Sequence, residues 1–436
     1  MLNVLEQAGA AAQQENWSLV IQCLLTLPLG IADGQSAINQ DVESVLLSED
    51  DLAQVLNLAL DVLNAGDFQE RWEIAKIIPK LGERAITPLV EILQDEEADL
   101  ELRWFVIRVL GGFNHPIIIT TLLDFLKTAE DAELAAMAAA TLSSVGEEAI
   151  EALSSLLLVP ESRLLATKAL AQIRRPQTIM PLLSVVHDSD AEVRATAIEA
   201  LSSFHEPRIY AILIEALKDL AATVRKEAVI GLGLRADLGQ ELDLINRLKP
   251  LLYDFNLEVC QQAAIALGRL GTEAAVQALF EVLQSAATPV PLKRELIRVL
   301  GWIETAASLD CLQQALEIST VDSALEIVRV LGRLAESNLK TKAAQILIEL
   351  LNSQHPAVQS NLVKQAVAQS WGELGDVGAI DALVGLLAEP AMSVRLHAIA
   401  ALKNFPSSHQ QLEQLATQEQ LTPALKEGIA IALGEW

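Results

Sequence analysis

The sequence is short of the residues that carry out chemistry. Among 436 residues there are three cysteines and six histidines, and aromatic side chains make up only 4%. Cys23, Cys260 and Cys311 are odd in number, far apart and set in apolar contexts. That excludes a disulfide framework or a paired-thiol metal site, and a reducing cytoplasm is the expected location. There is no glycine-rich phosphate loop, no Cys-x-x-Cys and no nucleophile elbow. No Lys or Arg precedes Arg71, while residues 1–70 hold 11 acidic side chains. A secretory signal needs a basic start and a transit peptide is arginine-rich, so neither is expected. Long apolar runs are missing too. Mean hydropathy is positive at +0.33, yet no stretch approaches the roughly 18–20 residues of a membrane span.

What is present is leucine, alanine and negative charge. Half the chain is hydrophobic, and the formal charge is −27. Residues 1–160 hold 26 acidic and 7 basic side chains, and the remainder 32 and 24. Such a surface repels phosphate backbones, so nucleic acid is not an expected partner, and the N-terminal end favours a basic one. Glycine and proline are sparse, which predicts helix throughout. High hydropathy without a membrane span implies helices that bury more than one face, as stacked layers do.

The chain repeats itself. "EVRATAIEALS" at Glu192 to Ser202 gives the template: an arginine near the start of a helical run that ends Ala-Leu-Gly or similar. "ELRWFVIRVLG", "TVRKEAVIGLG", "EVCQQAAIALG", "PLKRELIRVLG" and "SVRLHAIAALK" follow it. Anchored on the arginine position, the series runs Arg71, Arg103, Ala135, Arg163, Arg194, Arg225, Cys260, Lys293, Ala324, Lys364, Arg395, Lys426. The spacing stays near 31 to 33, apart from steps of 28, 35 and 40. The longest step predicts an insertion around residues 337–341 and 352–359. After each anchor helix a short turn, such as Gly271-Thr272 or Gly375-Asp376, leads to a second amphipathic run, and the glycine is the expected helix stop. A two-helix unit of this size cannot bury its apolar faces alone, so neighbours must stack. The fold class is therefore all-α, a right-handed α-solenoid of about twelve helical hairpins. Residues 1–66 form an expected N-terminal helical cap with a polar connection over 31–50, and residues 67–436 the repeat array. An acid commonly sits six residues before the anchor, as Glu97, Asp188, Asp219 and Glu389 do. This predicts a ladder of charge linking successive repeats.

"AAIALGRLGTEAAVQALFEVL" at Ala263 to Leu283 and "AQSWGELGDVGAIDALVGLL" at Ala368 to Leu387 are nearly one phrase, with Leu267 matching Trp371. Both resemble the HEAT-like repeats of the bilin lyase E/F group of cyanobacteria. The resemblance spans residues 71–436. It implies phycobiliproteins as partners and, for the lyases of the group, a linear tetrapyrrole (a bilin) attached or removed. The group also includes phycobilisome assembly proteins without lyase activity. Nothing outside the repeats matches a lyase motif. Deoxyhypusine hydroxylase has similar repeats and binds iron through several His-Glu pairs. Here only His205-Glu206 occurs, before Pro207, and His115, His187, His355, His397 and His409 are isolated, so no metal site is expected.

Within each anchor helix, offsets −1, +3, +4 and +7 from the anchor are apolar and expected to be buried. Offsets +1, +2 and +5 then face outward, and in arrays of this class that helix lines the concave surface. The outward rows hold Trp72, Trp104, Lys226 and Arg294 at +1, and Lys76, Lys168, Arg108, Arg298 and Arg329 at +5. Phe105 stands at +2 with Glu73, Glu227, Glu295 and Glu326. Trp72, Lys76, Trp104 and Arg108 form one candidate partner-binding patch, and Arg294, Arg298 and Arg329 a second. No catalytic residue is assigned. Cys260, at an anchor position, reads as a small buried residue. The expected role is a non-catalytic protein-binding scaffold or assembly factor without a cofactor. The alternative is a bilin lyase subunit, for which bilin would be the ligand.

Overall fold

In the computed structural model, residues 2–29, 47–113, 115–418 and 420–436 are described, and they contain helices and turns but no strand. The chain divides into two compact units, Met1–Ile209 and Tyr210–Trp436. No described helix is long and apolar enough to cross a membrane.

The twelve anchors occupy one and the same position of twelve helical segments, three residues after the first. In the first unit these are Phe68–Ile74, Leu100–Leu110, Ala132–Val145, Arg163–Ile173 with its leading turn Pro160–Ser162, and Ala191–Leu201. In the second they are Ala222–Gly233, Leu257–Leu270, Val290–Ile303, Val321–Gly332, Asn361–Leu374, Met392–Leu402 and Pro423–Gly434. The residue before each helix is often a cap. Asp67, Asp99, Asp131, Asp190, Asn256, Thr320 and Thr422 each accept a backbone N–H of the first turn.

Burial follows the expected offsets. From Arg103 through Lys293, and again at Lys364 and Arg395, all four inward positions are buried. Leu267 and Trp371 are both fully buried, and the indole Nε1 of Trp371 donates to the Ala344 carbonyl at 3.2 Å. In the second unit, consecutive anchor helices from Ala222–Gly233 to Met392–Leu402 pack against one another as one layer. Intervening helices such as Glu273–Gln284 and Ala306–Glu317 pack together as another.

The glycine eight residues after the anchor, which closes the Ala-Leu-Gly of the template, is a contact residue. A Cβ on Gly268 would lie 2.4 Å from Val299 Cγ1, and one on Gly301 1.9 Å from Val330 Cγ1. Gly233, Gly332 and Gly372 meet Ala266, Ser370 and Ala401 in the same way. Each glycine thus faces offset +6 of the next anchor helix, and its missing side chain sets how closely adjacent repeats approach. The helix stops are the expected ones, Gly271 and Gly375, whose φ values of 59° and 67° need the left-handed region.

The long step after Ala324 is filled as expected, by the 16-residue helix Ser337–Asn352 and the short turn Pro356–Gln359. Ahead of the repeats lie helices Leu2–Ala12, Trp17–Leu25 and Glu49–Ala65. Most of the polar connection expected over 31–50 falls outside the described residues. Its end differs from expectation, because Ser48 and Asp51 form a reciprocal capping box and helix begins at Glu49.

Candidate functional site

The charge ladder exists, but its rungs run differently from the sequence expectation. Three anchor arginines turn an N–H back to the main chain six residues before them. Arg163 Nε donates to Leu157 O at 2.7 Å, Arg194 Nη1 to Asp188 O at 2.7 Å and Arg225 Nη1 to Asp219 O at 2.8 Å. The carboxylate at that turn reaches instead to the anchor of the preceding repeat. Asp188 pairs with Arg163 at 2.7 Å, Asp254 with Arg225 at 2.7 Å and Glu389 with Lys364 at 2.7 Å. The Arg225–Asp254 pair is bidentate and mostly buried. Burial alone would raise the Asp254 carboxyl. Hydrogen bonds from Arg225 and the Asn256 N–H, with the Arg225 charge, outweigh it and hold the group below its ordinary value. Asp188 is held down in the same balance by the Asp190 N–H and Arg163.

Cys260 takes the arginine's place. Its Sγ–H donates to Asp254 O at 3.1 Å, and burial together with the negative Asp254 pushes the thiol above its usual range. A thiol so held is protonated at neutral pH and is a poor nucleophile. His115 and His355 start helical turns as the His-Pro pairs suggested, each accepting a backbone N–H at Nδ1. Glu206 of the His205-Glu206 pair is bonded to Arg208. Among the described residues no group of three or more His, Cys, Asp or Glu is placed to hold a metal ion.

On the exposed side of the anchor helices, the first unit gathers its aromatics. The Arg108 guanidinium lies 4.2 Å from the Trp72 ring centroid and 5.9 Å from that of Trp104. Arg108 is exposed and makes no ion pair among the described residues. Phe105, expected outside, is fully buried. It is the floor of the cluster, with Phe68, Trp72 and Trp104 at ring-centroid distances of 5.2, 6.5 and 5.1 Å. The helical offset treats +2 as outward, but Phe105 is covered by aromatic rings of its own and the preceding anchor helix. Phe68, which the sequence did not single out, is 54% exposed and stacks on Trp72. A small cleft of about 150 Å³ runs beside them, lined by Trp72, Lys76, Pro79 and Arg108 among others. Lys76 itself is spoken for by Glu73 at 2.7 Å.

In the second unit, Arg294, Arg298 and Arg329 are all exposed. Arg298 pairs with Glu326 across the repeat boundary at 2.6 Å. Other outward cations are used likewise, Lys168 by Glu192 and Lys226 by Glu258. The outward basic rows are therefore partly structural. Arg298 and Arg329 line one cavity, while Arg294 is not part of its wall.

The HEAT-repeat family model matches residues 86–165, 158–233, 210–291 and 245–328, more than half of the chain. The chain is a HEAT-repeat protein. No curated protein matches it in sequence. Among solved structures, the Kap95p complex with RanGDP shares the fold. It is 14% identical with a TM-score of 0.54, and the match covers 99% of this chain and 63% of that one. The phycocyanin lyase CpcE–CpcF complex from Nostoc sp. is 19% identical, covering 59% and 94% of the two chains, with a TM-score of 0.31. Human deoxyhypusine hydroxylase is 20% identical, covering 60% and 98%, with a TM-score of 0.27. At those scores neither bears on activity.

Proposed function

We propose that this HEAT-repeat protein is a non-catalytic scaffold or assembly factor that binds a protein along the exposed side of its anchor helices. One observation carries the reading. Arg108 stands exposed against two tryptophans, with no carboxylate partner among the described residues of a chain that carries −27. An acidic protein that leaves a guanidinium stacked on indoles and free of acids presents an anchor of the kind that dominates interface energetics. Trp72, Trp104 and Arg108 are the central contacts, Lys76 lies at the rim, and Arg294, Arg298 and Arg329 form a second contact region. Residues 1–66 act as the cap of the array.

The finer assignment, to phycobiliproteins or photosynthetic complexes, rests on the resemblance of the phrases at 263–283 and 368–387. Its lyase alternative requires a bilin. The test is affinity purification from the source organism with wild type and with Trp104→Ala, reading both the mass-identified proteins and the visible spectrum. The scaffold reading expects a defined partner with wild type and its loss with Trp104→Ala at unchanged helicity. Equal recovery with the variant contradicts it. Phycobiliprotein subunits in the eluate support the finer assignment, and a bilin band that appears on mixing free bilin with the purified chain favours the lyase alternative.

A further inference from the structure

The second unit holds an arginine-lined cavity whose composition identifies what it takes. Its volume is about 440 Å³, and Arg298, Trp302, Glu304, Glu326, Arg329 and Arg333 line it. The sequence offsets joined Arg298 and Arg329 but left out Trp302 and Arg333, which sit four residues further along each helix. On a helix i and i+4 share a face, so the four project together.

The two acids in the wall are already committed. Glu326 receives Arg298. Glu304, at φ 48°, turns its carboxylate onto the backbone N–H groups of Ala335 and Glu336 at 2.9 to 3.2 Å and so holds the turn that leads into Ser337–Asn352. The side chains of Arg329 and Arg333, by contrast, are exposed and make no hydrogen bond or ion pair among the described residues. Carboxylates outnumber cations in this chain, 58 to 31, so two adjacent guanidiniums without one are charge left for an outside anion. Trp302 lines the same cavity, half exposed, its indole lying on Gly268, where a Cβ would come within 2.8 Å of Nε1. The glycine makes room for a flat apolar platform beside the two cations.

We propose that this cavity docks an acidic segment of a partner protein, with a phenylalanine-like side chain on Trp302 and flanking carboxylates on Arg329 and Arg333. Carboxylates fit better than phosphate, because Glu304 and Glu326 leave the wall with three positive charges against two negative, a small excess suited to singly charged groups. The surrounding acidity weakens long-range attraction, so contact with the indole must supply part of the affinity. The inference rests on the reading that the exposed anchor-helix side binds protein, but it uses residues of the second unit only.

Calorimetric titration of the full chain tests it. The probe is an acetylated, amidated octapeptide of alternating glutamate and phenylalanine, with glutamine–phenylalanine and glutamate–alanine analogues as controls. Wild type is expected to bind the first peptide, more weakly as salt rises. The double variant Arg329→Gln with Arg333→Gln is expected to bind at least about tenfold more weakly, the loss of a charge-assisted contact. Trp302→Ala should erase the preference for phenylalanine over alanine. All three positions are exposed, so the variants are expected to keep the helical circular dichroism of wild type. No binding by wild type, equal binding of the glutamine analogue, or binding unchanged in the double variant overturns the proposal. Displacement of the peptide by millimolar inorganic phosphate overturns it in favour of a phosphate site. If the peptide fails while Trp104→Ala still loses the captured partner, this inference falls and the scaffold reading stands.

Discussion

The packed and exposed sides of the same anchor helices obey different rules. On the packed side, each repeat does what the last one did. Leu267 and Trp371 fill one register position, and Gly268, Gly301 and Gly332 meet the same offset of the next helix. On the exposed side the side chains differ from one unit to the other. The first unit stacks Trp72 and Trp104 on Arg108, and the second sets Trp302 among arginines. Repetition marks what holds the stack together, and variation marks where we propose that a partner is read.

Substitutions separate the two sides. The largest effect is expected at Trp371, fully buried and hydrogen-bonded through its indole. Trp371→Ala should cost about 3–5 kcal/mol, and Leu267→Ala at the matching position about 2–5 kcal/mol, both measured by denaturant unfolding. Helical unfolding unmoved by either would contradict the repeat register. Gly301→Ala must push against Val330, and about 1–3 kcal/mol of destabilisation is expected from overpacking.

The ladder has a pH signature. The Asp188 and Asp254 carboxyls lie below their ordinary value of 3.8 in the folded chain. Folding therefore favours their ionised forms. The contribution is complete above the ordinary value and is lost as pH falls through the depressed one. Melting temperature should drop on acidification below about pH 4, and Asp254→Asn should flatten that drop. A variant with the wild-type acid slope would remove Asp254 from the account.

The smallest stability effect is expected on the exposed side. Arg108→Glu should change folding stability by about 0.5 kcal/mol or less, while abolishing partner capture. A large loss of stability would mean that the cation–aromatic stack serves packing instead.

Much of this architecture was legible because helix packing writes itself into spacing. All twelve anchors lie three residues into a helical segment, and the inward offsets are buried through the regular repeats. Spacing failed where a side chain's environment comes from a neighbouring repeat. Phe105 was placed outward by its own helix, yet Phe68 and Trp72 from the preceding one cover it. The ladder acids sit six residues before an arginine in sequence, whereas Asp188 reaches back to Arg163 and Glu389 to Lys364. Trp302 and Arg333 went unnoticed because offset +9 lies beyond the template, though its recurrence in adjacent repeats was a usable signal. The contact that the template's final glycine makes, on the next helix, has no mark in the local sequence.

The most direct test of the central claim is partner capture with Trp104→Ala and Trp371→Ala compared side by side, each with its helicity and stability recorded. The account predicts that Trp104→Ala stays folded and loses the partner, while Trp371→Ala is destabilised but captures it under conditions where it remains folded. Retention of the partner by a folded Trp104→Ala protein would contradict the assignment of the binding face.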